Sequence, residues 1–167
     1  MTPPGRSSSA RDKFKTVEEL KPMLESLQKL GRQVVFANGC FDLLHVGHVR
    51  YLQAARAAGD LLVVALNGDR SVRELKGPGR PLLKLEERVE LVAALECVDY
   101  VVSFDEPTAD AILDHLRPDV HAKGTDYTEK GVPEAGTVLS YGGRIAIVGD
   151  PKDHSTRDLL RRIADRH

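Results

Sequence analysis

Five short apolar runs separated by amphipathic stretches set the narrowest limit on what this chain can fold into. The runs fall at 33–37, 61–66, 98–103, 118–122 and 144–148. Between them, helical spacing of apolar residues is readable at 47–58, 85–96, 108–116, 133–141 and 155–165. Short Val/Leu/Ile runs suit strands covered on both faces, and strands alternating with helices suit a parallel sheet with crossover connections. The prediction is therefore α/β: a Rossmann-like parallel five-stranded sheet with flanking helices. A further helix precedes the first run. Thr16-Val17-Glu18-Glu19 has capping-box spacing, Leu20, Met23, Leu24 and Leu27 share one side, and Gly31 supplies a stop.

At 167 residues the chain is most simply one domain, expected over 13–167, after a Pro-, Gly- and Ser-rich tail at 1–12 that reads as disordered. A formal net charge of −1 argues against a general nucleic-acid binder, which needs a basic excess. No 18-residue apolar run occurs and nothing resembles a signal peptide, so no membrane association is expected. Cys40 and Cys97 are too few for a disulfide framework. The expected location is cytoplasmic, with both thiols reduced.

In an open parallel sheet, ligands sit beyond the carboxyl ends of the strands. The polar clusters of this chain fall there: 38–48 after the first run, Asn67-Gly68-Asp69-Arg70 after the second, Lys123-Gly124-Thr125-Asp126-Tyr127 after the fourth, and Asp150 to Arg157 after the fifth. In the first cluster His45 and His48 stand across a helix start, where backbone N–H groups and the helix dipole already favour an anion. Each imidazole can donate to a phosphoryl oxygen, and Gly47 lets that group approach the backbone. A zinc site would need a third ligand at suitable spacing, and no further His or Cys supplies one. Asp42 either organises the turn or meets a metal-bound water; Cys40 and Cys97 read as packing.

Three more features bear charge. Arg88 falls inside the apolar stripe of Leu85, Val89, Val92 and Leu95, so something anionic must face it: a nucleotide phosphate, or an internal Asp or Glu. Lys76-Gly77-Pro78-Gly79-Arg80-Pro81 cannot continue a helix, and reads either as a mobile loop closing over a triphosphate or as an ordinary connection. Lys123 ends a strand, Gly124 leaves room for a ligand, and Asp126 and Tyr127 meet a substrate hydroxyl or make a turn. Ser155-Thr156-Arg157-Asp158 is a capping box whose hydroxyls and helix start also suit a triphosphate.

Taken together these stretches resemble the nucleotidyltransferases of the cytidylyltransferase-like superfamily. Their signature is a strand followed by G-x-F-D-x-x-H-x-G-H, here Gly39 to His48, and a Ser/Thr-rich turn opening the last helix, here Ser155-Thr156. Within that group the chain is most similar to the bacterial D-glycero-β-D-manno-heptose 1-phosphate adenylyltransferases. The matching stretches are Asn38 to Asp42, Leu75-Lys76-Gly77 with Arg80-Pro81, Ala94-Leu95-Glu96, Val98-Asp99, and Lys123-Gly124 with Asp126-Tyr127. The resemblance covers about residues 15–165. Two positions depart from it: Thr125 stands where the heptose enzymes usually have a second glycine, and Arg157 where they often have a second threonine.

The resemblance implies the HxGH nucleotidyltransferase fold and a reaction in which a substrate phosphate oxygen attacks the α-phosphorus of a nucleoside triphosphate, releasing pyrophosphate. It implies His45, His48 and Lys76 at the reacting phosphates. It implies Asn38, Gly39, Phe41, Gly47, Arg88, Lys123, Gly124, Ser155 and Thr156 around the nucleotide. Cys40, Asp42, Asn67, Asp69, Arg80, Asp126 and Tyr127 then fall to the acceptor side. Mg²⁺ is expected with the nucleotide, bound mainly by phosphates and water rather than by side chains. ATP, a sugar 1-phosphate, a separate sugar kinase and assembly into dimers or tetramers complete the implied partners. Glycerol-3-phosphate cytidylyltransferases and FAD-forming adenylyltransferases share the first signature. A non-catalytic nucleotide-binding module should lose one of the paired histidines, and both are present.

Overall fold

The computed structural model describes residues 9–151 and 153–166. Its centre is a parallel sheet of β1 (Val34–Gly39), β2 (Leu61–Asn67), β3 (Tyr100–Phe104), β4 (Val120–Lys123) and β5 (Arg144–Ile147), in the spatial order β3-β2-β1-β4-β5. Each strand lies within two residues of the apolar run that predicts it. β1 is central, and Val34, Val35, Phe36 and Ala37 have no exposed surface. That is why their run shows no polar alternation. Odd and even positions face opposite layers. Val35, Leu62 and Val64 meet one set of helices, while Val34, Phe36 and Val63 meet the other.

The crossovers are α2 (Val46–Ala57), α3 (Asp69–Lys76) with α4 (Leu85–Ala93), α5 (Asp110–Leu116) and α6 (Ala135–Ser140); α1 (Val17–Lys29) precedes the sheet and α7 (Thr156–Ala164) follows it. The capping box at α1 forms as its spacing demands. Thr16 Oγ1 accepts from the Glu19 backbone N–H at 3.1 Å and Glu19 Oε2 from that of Thr16 at 2.8 Å. The helix stops before Gly31, whose φ of +79° suits glycine. α3 is the element the sequence pattern does not announce, because only Ser71 and Val72 on it are buried. Of the tail expected at 1–12, residues 1–8 lie outside the described residues. Ala10–Lys13 forms a single 3₁₀ turn whose Ala10 packs on the core.

The interior of the sheet is not wholly apolar. His121 on β4 has no exposed surface and sets its ring edge-on to Phe36, with centroids 5.7 Å apart. Burial, reinforced by the charge of Lys123, pushes the imidazole pKa down to about 3. An unfolded chain takes up that proton near pH ~6.5, whereas the native chain stays unprotonated down to about 3. The depressed native value makes its contribution fully present above ~6.5 and progressively lost as pH falls, by about 1.4 kcal/mol per unit. Replacing His121 with Leu should therefore shift the stability difference in the variant's favour by about 2 kcal/mol between about pH 7 and about pH 5. Urea denaturation at the two pH values checks this, and a constant difference contradicts it.

Candidate active site

The strand order reverses between β1 and β4, since β1 is followed by β2 on one side and joined by β4 on the other. At such a switch point the loops leaving adjacent strands part in opposite directions and open a crevice. A cleft of about 730 Å³ opens there, walled by the loop after β1, the start of α2, the loop after β4 and the segment leading into α7. The sequence-predicted site residues meet in it with two exceptions, Arg88 and Asp69.

The loop after β1 makes its turn at Phe41, whose φ of +47° is unusual for a side chain of that size. The turn lays the Phe41 ring back over Gly39, where an added Cβ would come within 3.0 Å of it. The same ring meets His48 edge-on at 5.1 Å. His45 is the N-cap residue of α2, and its ring stacks on that of His48 with centroids 3.8 Å apart and planes 21° from parallel. Gly47 is required by this stack, because a Cβ there would lie 2.9 Å from the His45 ring. The backbone N–H of His45 donates to Nδ1 of His48 at 3.4 Å. An accepting Nδ1 carries no proton in the neutral ring, which leaves Nε2–H as the His48 donor.

Asp42 organises the turn, one of its two expected roles. Its carboxylate accepts from Arg80 Nε at 2.6 Å and from the backbone N–H groups of Leu82 and Leu83 at 2.8 and 3.0 Å. Burial works to raise its pKa, but the Leu83 and Leu82 N–H groups and the Arg80 guanidinium outweigh it and hold the carboxyl below its ordinary value. The 76–81 segment is thus pinned at Arg80 rather than left as a loose flap. Cys40 beside it is pushed above the ordinary thiol range by burial, only partly offset by Lys76 and Arg88. That shift favours the thiol over the thiolate.

Arg88 meets an internal carboxylate, not the cleft. The side chain is fully buried; Nη2 donates to Asp69 Oδ1 at 2.7 Å, Nη1 to the carbonyls of Cys40 and Asn67 at 2.8 and 2.7 Å, and Nε to that of Leu83 at 3.0 Å. Of the two anions the sequence allows, the phosphate is replaced by Asp69. Asp69 is correspondingly withdrawn from the acceptor side, and also accepts from the Leu85 N–H at 2.9 Å.

On the opposite wall Lys123 ends β4 nearly buried, its Nζ 3.9 Å from Glu134 Oε2 and 4.5 Å from the centre of the Tyr127 ring. The Tyr127 N–H donates to the Gly124 carbonyl, so the turn reading of 124–127 holds locally. Ser155 caps α7 by accepting from the Asp158 N–H at 3.1 Å. Thr156 Oγ1 donates to the Leu43 carbonyl at 3.3 Å and ties α7 to the signature loop. Thr125 Oγ1 donates to the Asp150 carbonyl at 2.8 Å, joining two rims of the cleft, and Arg157 lines it.

Tyr51 and His154 are among the lining residues that the sequence reading does not name as site residues. Tyr51 donates its hydroxyl to the Ala122 carbonyl at 2.6 Å and locks α2 to the end of β4. Its spacing of three from His48 is the signal for a shared helix face. His154 stands 6.4 Å from His45, ring to ring, an approach that linear spacing does not show. Among the described residues no group of three or more His, Cys, Asp or Glu side chains is placed to hold a metal ion. Nor, among them, is any helix long and apolar enough to cross a membrane.

A family model described as cytidylyltransferase-like matches residues 36–156, from the middle of β1 to the first residue of α7. The chain belongs to the cytidylyltransferase-like family. It is 52% identical over 155 residues to a bifunctional protein HldE of Syntrophotalea carbinolica, covering 93% of this chain and 32% of that one. A bifunctional protein HldE of Geobacter sulfurreducens is 50% identical over 151 residues, covering 90% and 31%. The chain thus spans about a third of the length of these relatives. Among solved structures, a lipopolysaccharide core biosynthesis protein from Thermoplasma volcanium aligns with a TM-score of 0.62 and 27% identity, over 73% of this chain and all of that one. A pantoate-β-alanine ligase from Francisella tularensis shares the fold, with a TM-score of 0.60 at 13% identity.

In this nucleotidyltransferase the Arg88 network makes a prediction about stability. Arg88→Met keeps the stem but leaves three carbonyls and the Asp69 carboxylate without their donor. The expected loss is about 3–5 kcal/mol, the scale of breaking a buried ion pair. Arg80→Met, which leaves Asp42 the N–H groups of Leu82 and Leu83, should lose less than half as much. Equal losses in urea denaturation would contradict the assignment of Arg88 to the core.

Proposed function

We propose that the chain is an adenylyltransferase that moves AMP from ATP to a sugar 1-phosphate, D-glycero-β-D-manno-heptose 1-phosphate, giving ADP-heptose and pyrophosphate. The stacked imidazoles at the start of α2 carry this reading, in a cleft whose other walls bring Lys76, Arg80 and Lys123. The identity to two HldE proteins supports the choice of acceptor, as does the likeness to a protein of lipopolysaccharide core biosynthesis. A kinase acting on the sugar must supply the 1-phosphate.

An acceptor phosphate is already ionised at neutral pH, so the reaction needs no general base. The difficulty is to bring two polyanions together and to stabilise charge as pyrophosphate departs. Fixed donors and in-line placement answer it. His48 donates from Nε2 to the α-phosphate or its bridging oxygen, with its ring held by Phe41 and His45. Lys76 and Arg80 hold phosphate oxygens from one side, the latter steadied by Asp42 through Nε with both terminal nitrogens left for a ligand. Lys123 acts from the other wall, and the α7 start with Thr156 receives the β,γ end. Bound Mg²⁺ would supply charge neutralisation at the phosphates; Asp42, the one deeply buried carboxylate of the cleft wall, is already bonded to Arg80, Leu82 and Leu83 and would not hold it.

His48→Ala should lower kcat by about 10²-fold or more, the scale of losing one oxyanion donor, while the thermal transition is kept. Unchanged turnover would remove His48 from the chemistry. The substrate reading is tested by pyrophosphate release from ATP, CTP, GTP and UTP, each with the heptose 1-phosphate and with glycerol 3-phosphate. Release is expected with ATP and the heptose phosphate alone. Release with CTP and glycerol 3-phosphate instead would keep the chemistry and overturn the acceptor.

A further inference from the structure

The reaction scheme leaves the contact between Asn38 and the buried His121 without a role. In the register of the sheet, β1 and β4 pair Phe36 with His121. Asn38 is two residues further along β1, on the same face as Phe36 and one step nearer the cleft. His121 Nε2 and Asn38 Oδ1 are 2.9 Å apart. The other ring nitrogen, Nδ1, is buried with no hydrogen-bond partner.

Two proton arrangements satisfy that contact. In one, Nε2–H donates to Oδ1 and Nδ1 is a bare lone pair. In the other, the asparagine amide is turned over, its N–H₂ donates to Nε2, and Nδ1–H becomes a donor stranded in the core. A stranded N–H is rarer and costs more than an under-satisfied acceptor. Asp110, whose charge reaches the ring, does not rescue the second arrangement. Its oxygens accept from the hydroxyls of Thr137 at 2.6 Å and Thr108 at 2.7 Å. The first arrangement therefore holds, and the ring keeps a single proton because burial and Lys123 leave it neutral. The amide oxygen of Asn38 is then tied back to the sheet. Its N–H₂ is the end left for the cleft, which Asn38 lines.

We propose that His121 is a positioning residue that fixes the Asn38 amide so that it offers the cleft donors only. The proposal rests on reading the cleft as a phosphate site, since a polyanion gains from a fixed donor and is repelled by an amide oxygen turned toward it. A freely rotating Asn38 would present either end.

The test has one arm that is independent of any ligand. A long-range ¹H–¹⁵N spectrum of the protein should show His121 as the Nε2–H tautomer, unchanged between about pH 5 and about pH 8, where an ordinary histidine titrates. An Nδ1–H tautomer, or titration in that range, overturns the proposal. The second arm is calorimetry with ATP and Mg²⁺. His121→Leu should weaken binding by about tenfold, the scale of one net hydrogen bond. His121→Gln, which can still donate to Oδ1, should recover most of it. Asn38→Ala should weaken wild type but change binding by less than about threefold in the His121→Leu background, because the two residues act as a unit. Full ATP affinity in His121→Leu, or additive losses, overturns the proposal. A wild-type protein that binds no nucleotide sinks the adenylyltransferase reading instead, and the spectrum still decides the pairing. If His121→Leu fails to fold, the spectrum and the Gln variant decide.

Discussion

Arg88 carries a buried guanidinium through the junction of four segments, and the cleft keeps its shape because those donors end on fixed acceptors. Its partners are the turn after β1, the end of β2, the first residue of α3 and the loop before α4. The backbone at Leu83 is gripped twice, through its carbonyl by Arg88 and through its N–H by Asp42. A desolvated charge is tolerable only with complete pairing. The four bonds in turn fix where Cys40, and hence Phe41 and the imidazoles beyond it, can lie. The chemistry of the cleft rests on a cation that never reaches it.

Charged groups do different work at the two edges of the sheet. At the amino ends of the strands, carboxylates accept from backbone N–H groups: Asp60 from Gln33, Asp119 from Val34 and Asp99 from Leu62, at 2.7–2.8 Å. At the carboxyl ends the cleft gathers Arg50, Lys76, Arg80, Lys123 and Arg157. One edge fastens the strands; the other faces anions. Composition averages over both and so excludes a general polyanion binder without excluding a local one.

The strands and the convergence of their trailing loops were legible in the sequence because burial on both faces leaves an uninterrupted apolar run. The two misplaced residues, Arg88 and Asp69, share one cause. Asp69 opens α3, a helix with a single apolar residue buried, Val72, so periodicity gave it no signal. Without that helix nothing in the sequence brings Asp69 to Arg88, or tells an internal carboxylate from a phosphate as the anion facing it. The Asn38–His121 contact was hidden for a related reason. It depends on the register between β1 and β4, strands 80 residues apart that pair through only two residues of each. Local motifs announce which residues carry chemistry; which of them are used up inside the protein depends on pairings that sequence distance conceals.

The bond from Thr156 to Leu43 closes a span of 113 residues. Together with Thr125 and Asp150 it joins the first loop of the cleft to the last helix. The pocket therefore exists only in a chain that has completed its topology, and no fragment ending before β5 assembles it. A ligand held across those loops favours the finished fold over every partly unfolded form that separates them. By mass action, resistance to unfolding and to proteolysis then becomes a function of substrate concentration.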